Sequence, residues 1–301
     1  MSNIRRILCP IDFSVESAHA IQEAIAVARW CKARITALHV FTPIFMPGLP
    51  MPEERVPDAE VQRLRDQMAT CFRDAAAAGV AVDVVIEVGQ PARHILDRAV
   101  SLPADMIVMG THGAGGFEHL VLGSVTEKVL RKATCAVLTV PPHVRATPRL
   151  PFQRVLCAVD FSGPSLAAAS FARSLAQESG AALTLLHVIE WPWEEPPPPV
   201  LSELPPEQAA ALAEYRRQVE KSATARLEAL APAGSPERVA PATRLSHGRP
   251  YVEILRVAAE DRSDLILMGV HGRNALDLMV FGSTTNQVVR RATCPVLTLR
   301  Q

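Results

Sequence analysis

The sequence has little of what typifies nucleic-acid-binding, membrane or secreted proteins. Its 31 basic residues are balanced by 31 acidic ones, so it lacks the basic surface of a nucleic-acid-binding protein. No apolar stretch reaches the roughly 20 residues that a membrane helix needs. The start of the chain shows no long apolar segment followed by a cleavage site, which predicts that there is no signal peptide. These absences favour a cytoplasmic protein with neither nucleic-acid nor membrane partners.

Cysteine is also scarce, with six residues in a chain of 301. This is too few for a disulfide framework, and no CxxC pair or Cys/His cluster has the spacing of a zinc site. Cys9 and Cys157 fall in matching predicted strands, as do Cys135 and Cys294. We therefore predict buried free thiols in a reducing compartment and no protein-held metal.

The usual signatures of catalysis are missing. The sequence has no Walker A lysine motif, no GxSxG elbow, no HExxH and no GxGxxG dinucleotide fingerprint. These absences argue against an NAD enzyme and against fast ATP hydrolysis. No catalytic residue is predicted.

One stretch is present twice and dominates the chain. In its first copy a short apolar run leads to Gly110 and Gly113, and nine further residues lead to Gly123 and Ser124. The second copy repeats the spacing with Gly269, Gly272, Gly282 and Ser283. The pattern predicts a strand, a glycine turn and a helix N-terminus, which together favour phosphate binding. Each serine could cap its helix or bond a phosphate oxygen, and a duplicated structural turn is the simpler alternative.

The whole chain repeats in register, with one change of offset between the halves. The pairs Asp12/Asp160 and His39/His187 share one offset, and the pairs Gly89/Gly248, Gly110/Gly269 and Gly123/Gly282 share a second, larger one. The larger offset predicts a longer insertion between the second and third strands of the second half. We predict domains at 1–141 and 152–301, joined by a proline-containing linker at 142–151.

Within each half, apolar strands alternate with helical patterns, one of which predicts a helix from Asp58 to Ala78. This order predicts an α/β fold with two doubly wound parallel-sheet domains of five strands each and helices on both faces. With strand order 3-2-1-4-5, the strands ending at Asp12 and Gly110 are neighbours at the switch point where such sheets bind ligands. A carboxylate and a phosphate loop would then lie side by side.

These features resemble the universal stress protein family in its tandem form, over nearly the whole chain. The glycine motif is similar to that of the ATP-binding subclass. The resemblance implies that Asp12 and Asp160 contact adenosine and that Val40 and Val188 lie near the base. It further implies that the glycine stretches hold ribose and phosphates and that the last strands pair the two domains. A Mg²⁺ ion held through the phosphates is compatible with such a site, because Mg²⁺ keeps several waters and needs few protein ligands.

The predicted nucleotide-binding residues form two matching sets. They are Pro10, Ile11, Asp12, Ser14, Val40, Gly89, Met109, Gly110, His112, Gly113, Gly123, Ser124, Val125 and Thr126 in the first half, and Val159, Asp160, Ser162, Val188, Gly248, Met268, Gly269, His271, Gly272, Arg273, Gly282, Ser283, Thr284 and Thr285 in the second.

Several alternatives stay open from sequence. Asp12 could merely cap the following helix, and His39 is better explained by a backbone partner than as a base. Arg273 could pair with a phosphate or point into water. The function we expect is an ATP-binding stress-response sensor or regulator with at most slow hydrolysis. The alternative is a tandem scaffold that binds no nucleotide, and either form could make a homodimer.

Overall fold

The computed structural model describes residues 4–42, 57–111, 122–142, 152–190, 205–231, 241–270 and 282–300. The first half contains β1 (Arg6–Pro10), α1 (Val15–Cys31), β2 (Arg34–Phe41), α2 (Asp58–Cys71), α3 (Arg73–Ala77), β3 (Val82–Val88), α4 (Pro91–Ser101), β4 (Met106–Gly110), α5 (Ser124–Lys132) and β5 (Ala136–Val140). The second half contains β6 (Arg154–Ala158), α6 (Gly163–Ser179), β7 (Ala182–Ile189), α7 (Pro206–Ala229), β8 (Ala242–His247), α8 (Pro250–Glu260), β9 (Leu265–Gly269), α9 (Ser283–Arg291) and β10 (Val296–Leu299). The alternation of strands and helices confirms the predicted α/β class.

The ten strands within the described residues form one sheet in the order β3-β2-β1-β4-β5-β10-β9-β6-β7-β8. Each half is parallel and has the predicted order 3-2-1-4-5. The two halves meet where β5 pairs antiparallel with β10, which confirms the predicted pairing through the last strands. Across this seam the hydroxyl of Thr139 donates to the Val296 carbonyl at 3.1 Å, and the hydroxyl of Thr298 donates to the Val137 carbonyl at 3.2 Å.

The antiparallel seam determines where the two candidate sites lie. Strands of the first half run opposite to strands of the second half, because the two parallel sets join only through β5 and β10. The carboxyl ends of the two sets therefore point to opposite edges of the sheet. Each half carries its own switch point, on its own edge.

Apolar layers cover both faces of the sheet. One contains the buried residues of α1, α2, α6 and α7, and the other contains those of α4, α5, α8 and α9. Successive strand residues alternate between them, so Cys9 joins the first layer and Leu8 the second. Burial on both faces explains why the central strands read as continuous apolar runs rather than as alternating patterns.

Two sequence expectations need correction. The helical pattern predicts a single helix from Asp58 to Ala78, but the helix is interrupted at Phe72, whose backbone has φ −100° and ψ 18° while its side chain stays buried in the core. The sequence places Cys135 and Cys294 within strands, whereas they precede β5 and β10.

The extra residues of the second half lie where the change of offset predicts, between its second and third strands. The helix N-caps Pro57 and Pro205 still share the smaller offset of Asp12 and Asp160, so the insertion follows the start of the helix. Accordingly α7 has 24 residues, whereas α2 and α3 have 14 and 5. The predicted linker lies almost wholly outside the described residues. The described residues contain no helix with the length and hydropathy of a membrane span.

Candidate functional site

The carboxylate of Asp12 follows β1 and organises the turn into α1. Its Oδ1 accepts hydrogen bonds from the Ser14 amide at 3.1 Å and from the Ser14 hydroxyl at 2.6 Å. Ser14 is the N-cap of α1, and its Oγ accepts from the Ser17 amide at 3.1 Å. The sequence left open that Asp12 itself caps the helix, and the structure shows that it does not. Asp12 holds the serine that does.

The second half repeats this turn. Oδ1 of Asp160 accepts from the amide of Ser162 at 2.9 Å and from its hydroxyl at 2.5 Å. Ser162 caps α6 by accepting from the Ser165 amide at 3.4 Å. The same local chemistry is thus built twice, at equivalent positions of the two halves.

A phenylalanine in the left-handed region lies between each aspartate and its serine. Phe13 has φ 63° and Phe161 has φ 64°, a conformation that bulky side chains rarely adopt. Each ring packs against a histidine of the next strand, His39 or His187, with centroids 4.6 Å apart and planes tilted by 44°. These contacts hold the strained residue in place.

The same histidines bond to backbone carbonyls, as the sequence predicted. Nδ1 of His39 lies 2.9 Å from the Ile11 carbonyl oxygen, and Nδ1 of His187 lies 2.7 Å from that of Val159. A carbonyl can only accept, so Nδ1 carries the proton in both residues. The histidines therefore connect β2 and β7 to the aspartate turns and have a structural role.

The glycine stretch places a helix start against a strand end. Gly110 ends β4, and Gly123 is the N-cap of α5. The Gly123 amide donates to the Thr111 carbonyl at 2.9 Å, and the buried Thr126 hydroxyl donates to the Gly110 carbonyl at 2.9 Å. Ser124 is the first residue within the helix, so the sequence alternative that made it the cap is wrong.

The second stretch has the same ties. The Gly282 amide donates to the Val270 carbonyl at 3.2 Å, and the Thr285 hydroxyl donates to the Gly269 carbonyl at 3.0 Å. Ser283 begins α9, with Gly282 as its N-cap. In both halves the amides of the first helical turn have no acceptor within the helix, which leaves the positive end of the dipole at the strand exit.

The aspartate turn and the glycine exit belong to adjacent strands. β1 pairs with β4 through Ile7 and Met106, and β6 pairs with β9 through Val155 and Leu265. Each carboxylate turn therefore lies beside a helix N-terminus, at the carboxyl ends of the strands in its half of the sheet. Val40 lies near the end of β2, on the other side of β1.

Gly269 is also required for packing, which the sequence did not indicate. A Cβ at this position would lie 2.9 Å from Cβ of Pro164 and 2.9 Å from the Ser165 amide nitrogen. The start of α6 crosses directly over the end of β9, so only glycine fits without displacing backbone. This is a structural reason for the residue, additional to any approach of a ligand.

Gly89 and Gly248 lie beside the strand ends that carry Val40 and Val188, on the far side of those strands from the glycine stretches. They follow β3 and β8, the edge strands, with φ 141° and 128°. Two strands, β2 and β1, separate Gly89 from β4. The structure therefore groups Gly89 with the outer edge of the first half rather than with the glycine stretch.

A charged cluster beside Gly89 was not found from sequence. Glu87 accepts hydrogen bonds from Nδ1 of His94 at 2.7 Å and from Nε of Arg98 at 2.8 Å. Burial raises the pKa of Glu87, but the hydrogen bonds from Arg98 and His94 outweigh it and hold that pKa below its ordinary value. The spacing of His94 and Arg98, one helical turn apart opposite a strand carboxylate, is the signal that could have revealed the cluster.

Five predicted residues lie outside the described residues: His112, Gly113, His271, Gly272 and Arg273. Within the described ranges, no group of three or more histidine, cysteine, aspartate or glutamate side chains could hold a metal ion.

Comparison with known proteins gives the same family for both halves. A model described as the universal stress protein family matches residues 3–141 and 151–300. A universal stress protein of Mycolicibacterium smegmatis is 29% identical over 308 residues, covering 98% of this chain and 96% of the relative. One from Thermus aquaticus is 36% identical over 149 residues, covering 50% of this chain and 99% of the relative. The crystal structure of a universal stress protein from Archaeoglobus fulgidus has the same fold, with a TM-score of 0.66 at 21% identity and 98% coverage of each chain.

Proposed function

The chain belongs to the universal stress protein family, and from this premise we propose that it binds ATP once in each half. It would act as a nucleotide-dependent sensor or regulator in the stress response rather than as a fast enzyme. Its six free cysteines favour a reducing, cytoplasmic compartment. The observation that carries the proposal is the repeated pairing of an aspartate turn with a helix N-terminus at each carboxyl edge.

The helix N-termini support binding of the phosphates. At the starts of α5 and α9 the first-turn amides and the positive end of the dipole favour an anion. Hydrogen bonds to a charged group contribute about 1.5–3 kcal/mol each, and micromolar affinity needs about 8 kcal/mol. Four or five such bonds contribute about 6–15 kcal/mol, a range that includes this value. Mg²⁺ would be held through the phosphates, since it keeps several waters and needs few protein ligands.

The aspartate turns support recognition of the adenosine. An ionised carboxylate can accept about four hydrogen bonds, so the bonds from Ser14 to Asp12 are compatible with a further bond from a ribose hydroxyl. Val40 and Met109 belong to the same apolar layer near the carboxyl edge, which gives the base an apolar surface. Asp160, Val188 and Met268 would have the same roles in the second half.

Slow hydrolysis at most is proposed, because the sequence lacks the motifs of a fast ATPase and the described strand histidines have a structural role. The two strand histidines have Nδ1 hydrogen-bonded to backbone carbonyls, and the chain has no Walker A lysine. A bound nucleotide would then report its concentration by occupancy rather than by turnover.

The test is a double substitution, Gly113→Asp with Gly272→Asp. A carboxylate in each glycine turn would repel phosphate, so equilibrium dialysis with labelled ATP should show loss of binding at both sites. The matched control is Ala76→Asp with Ala211→Asp, which adds the same charge to each half at exposed helical positions. Unchanged ATP binding in the first double variant, with both proteins folded by circular dichroism, would reject the site.

The alternative, a tandem scaffold without nucleotide, has two specific observations in its favour. Gly269 is already required by the packing of α6, and each aspartate already organises a helix cap. These structural roles would explain why the residues are present even in a protein that binds no nucleotide. Absence of ATP uptake by the purified protein would favour this alternative.

A further inference from the structure

Arg226, near the end of α7, contacts Phe161 in the aspartate turn of the second half. Its guanidinium carbon lies 3.9 Å from the centroid of the Phe161 ring, within the range of a cation–π interaction. The same ring packs on His187 with centroids 4.6 Å apart. A residue from a later helix therefore packs against the turn that follows β6.

A contact that fixes the Phe161 ring also stabilises the backbone of the turn from Asp160 to Ser162. Phe161 has φ 64°, which is unfavourable for a bulky side chain and persists only where surrounding contacts impose it. Its neighbours Asp160 and Ser162 make the carboxylate–amide bond of 2.9 Å that defines the turn. A contact that favours the observed position of the ring also favours the observed position of the Asp160 carboxylate.

The first half has the turn without the cation. Phe13 has φ 63° and the same 4.6 Å packing on a histidine, His39. In the part of the chain that the structure describes, however, no arginine or lysine lies over Phe13. Arg226 lies in the segment where the second half carries its insertion, so the contact arises where the two halves have diverged in length.

We propose that Arg226 is a positioning residue that pre-organises the Asp160 turn for ligand, and that it makes the second site differ from the first. The inference rests on the proposed binding of ATP in each half. Because a pre-ordered turn loses less freedom on binding, the contact increases affinity without touching the nucleotide. A partly exposed cation–π contact corresponds to a change of about two- to five-fold in an equilibrium constant.

The first experiment needs no ligand. Amide hydrogen exchange at Ser162 is measured in wild type and in Arg226→Gln, which keeps much of the length of the side chain and removes the charge. Exchange at Ser162 should become about two- to five-fold faster, while Ser14 in the matching turn of the first half stays unchanged. Arg217→Gln is the control, because it removes an exposed arginine of the same helix that pairs with Glu214.

The second experiment measures affinity at the second site alone. In a Gly113→Asp background that blocks the first site, Arg226→Gln should raise the ATP dissociation constant about two- to five-fold. Arg226→Lys should recover part of that loss, since it returns a cation. A purely structural role would lower stability without this site-specific change.

The outcomes separate the two claims. Unchanged exchange at Ser162, or equal acceleration at Ser14, overturns the role of Arg226, as does an unchanged dissociation constant at the second site. If wild type takes up no ATP, the proposed function fails, and the exchange experiment still decides whether Arg226 orders the turn.

Discussion

Replacing Thr126 by valine removes one hydroxyl that connects the start of α5 to the end of β4. The side chain is buried, and its hydroxyl donates to the Gly110 carbonyl at 2.9 Å. Valine has nearly the same shape, so the change removes the hydrogen bond without opening a cavity. A net hydrogen bond contributes about 0.5–1.5 kcal/mol, and a buried carbonyl that loses its donor costs about 1–3 kcal/mol. We expect the free energy of unfolding to fall by about 1–2 kcal/mol.

Urea denaturation followed by circular dichroism measures this loss, and the chain offers matched controls. Thr126→Ser keeps the hydroxyl and should recover most of the stability. Thr285→Val should cost about as much as Thr126→Val, because its hydroxyl makes the equivalent bond at 3.0 Å. Thr70→Val removes an exposed hydroxyl that also donates to a backbone carbonyl, at 3.0 Å, and water can replace it.

The reasoning is refuted if Thr126→Val unfolds at the same urea concentration as wild type. It is equally refuted if Thr70→Val costs as much as Thr126→Val, because burial would then not be the cause. ATP affinity at the first site should also fall in the valine variant and not in the serine variant.

Two further predictions concern the seam and the thiols. Thr139→Val combined with Thr298→Val should lower the free energy of unfolding by about 1–3 kcal/mol, because each buried hydroxyl bonds a carbonyl across the seam; an unchanged urea midpoint would contradict this. Burial raises the pKa of Cys9 and of Cys157 from 9.0 to about 12. Below pH 9 both thiols are protonated whether the chain is folded or unfolded. Above pH 9 the thiols of the unfolded chain lose their protons first, so the free energy of unfolding should fall from pH 9 towards 12. Both thiols should resist iodoacetamide in the native protein at mildly alkaline pH and react in urea; rapid native labelling would show that they are accessible.

The sequence was sufficient for the architecture because the repeat made its pattern easy to recognise. Two constant offsets between the halves, together with apolar strands ending at Asp12 and Gly110, predicted two parallel half-sheets of order 3-2-1-4-5. Duplication doubled each signal, so a weak glycine motif became a specific one. The pairing of the last strands followed from the family resemblance rather than from any local pattern, and its antiparallel direction was not predicted.

The details of the turns could not be predicted, because they depend on contacts distant in sequence. Nothing in the residues around Phe13 indicates a left-handed backbone, which bulky side chains avoid unless a partner such as His39 holds the ring. The break at Phe72 is likewise hidden by a continuous helical pattern. The packing of α6 on Gly269 joins elements far apart along the second half. The helix and strand propensities of neighbouring residues do not predict such contacts.

Identifying what the purified protein carries tests the central claim most directly. The protein is denatured, and the released small molecules are identified and counted by mass spectrometry. A parallel sample is incubated with ATP and Mg²⁺ and freed of excess nucleotide before it is denatured. Binding in each half predicts ATP approaching two molecules per chain in the second sample. Protein that releases no nucleotide and takes up none after incubation would contradict the account and favour the scaffold.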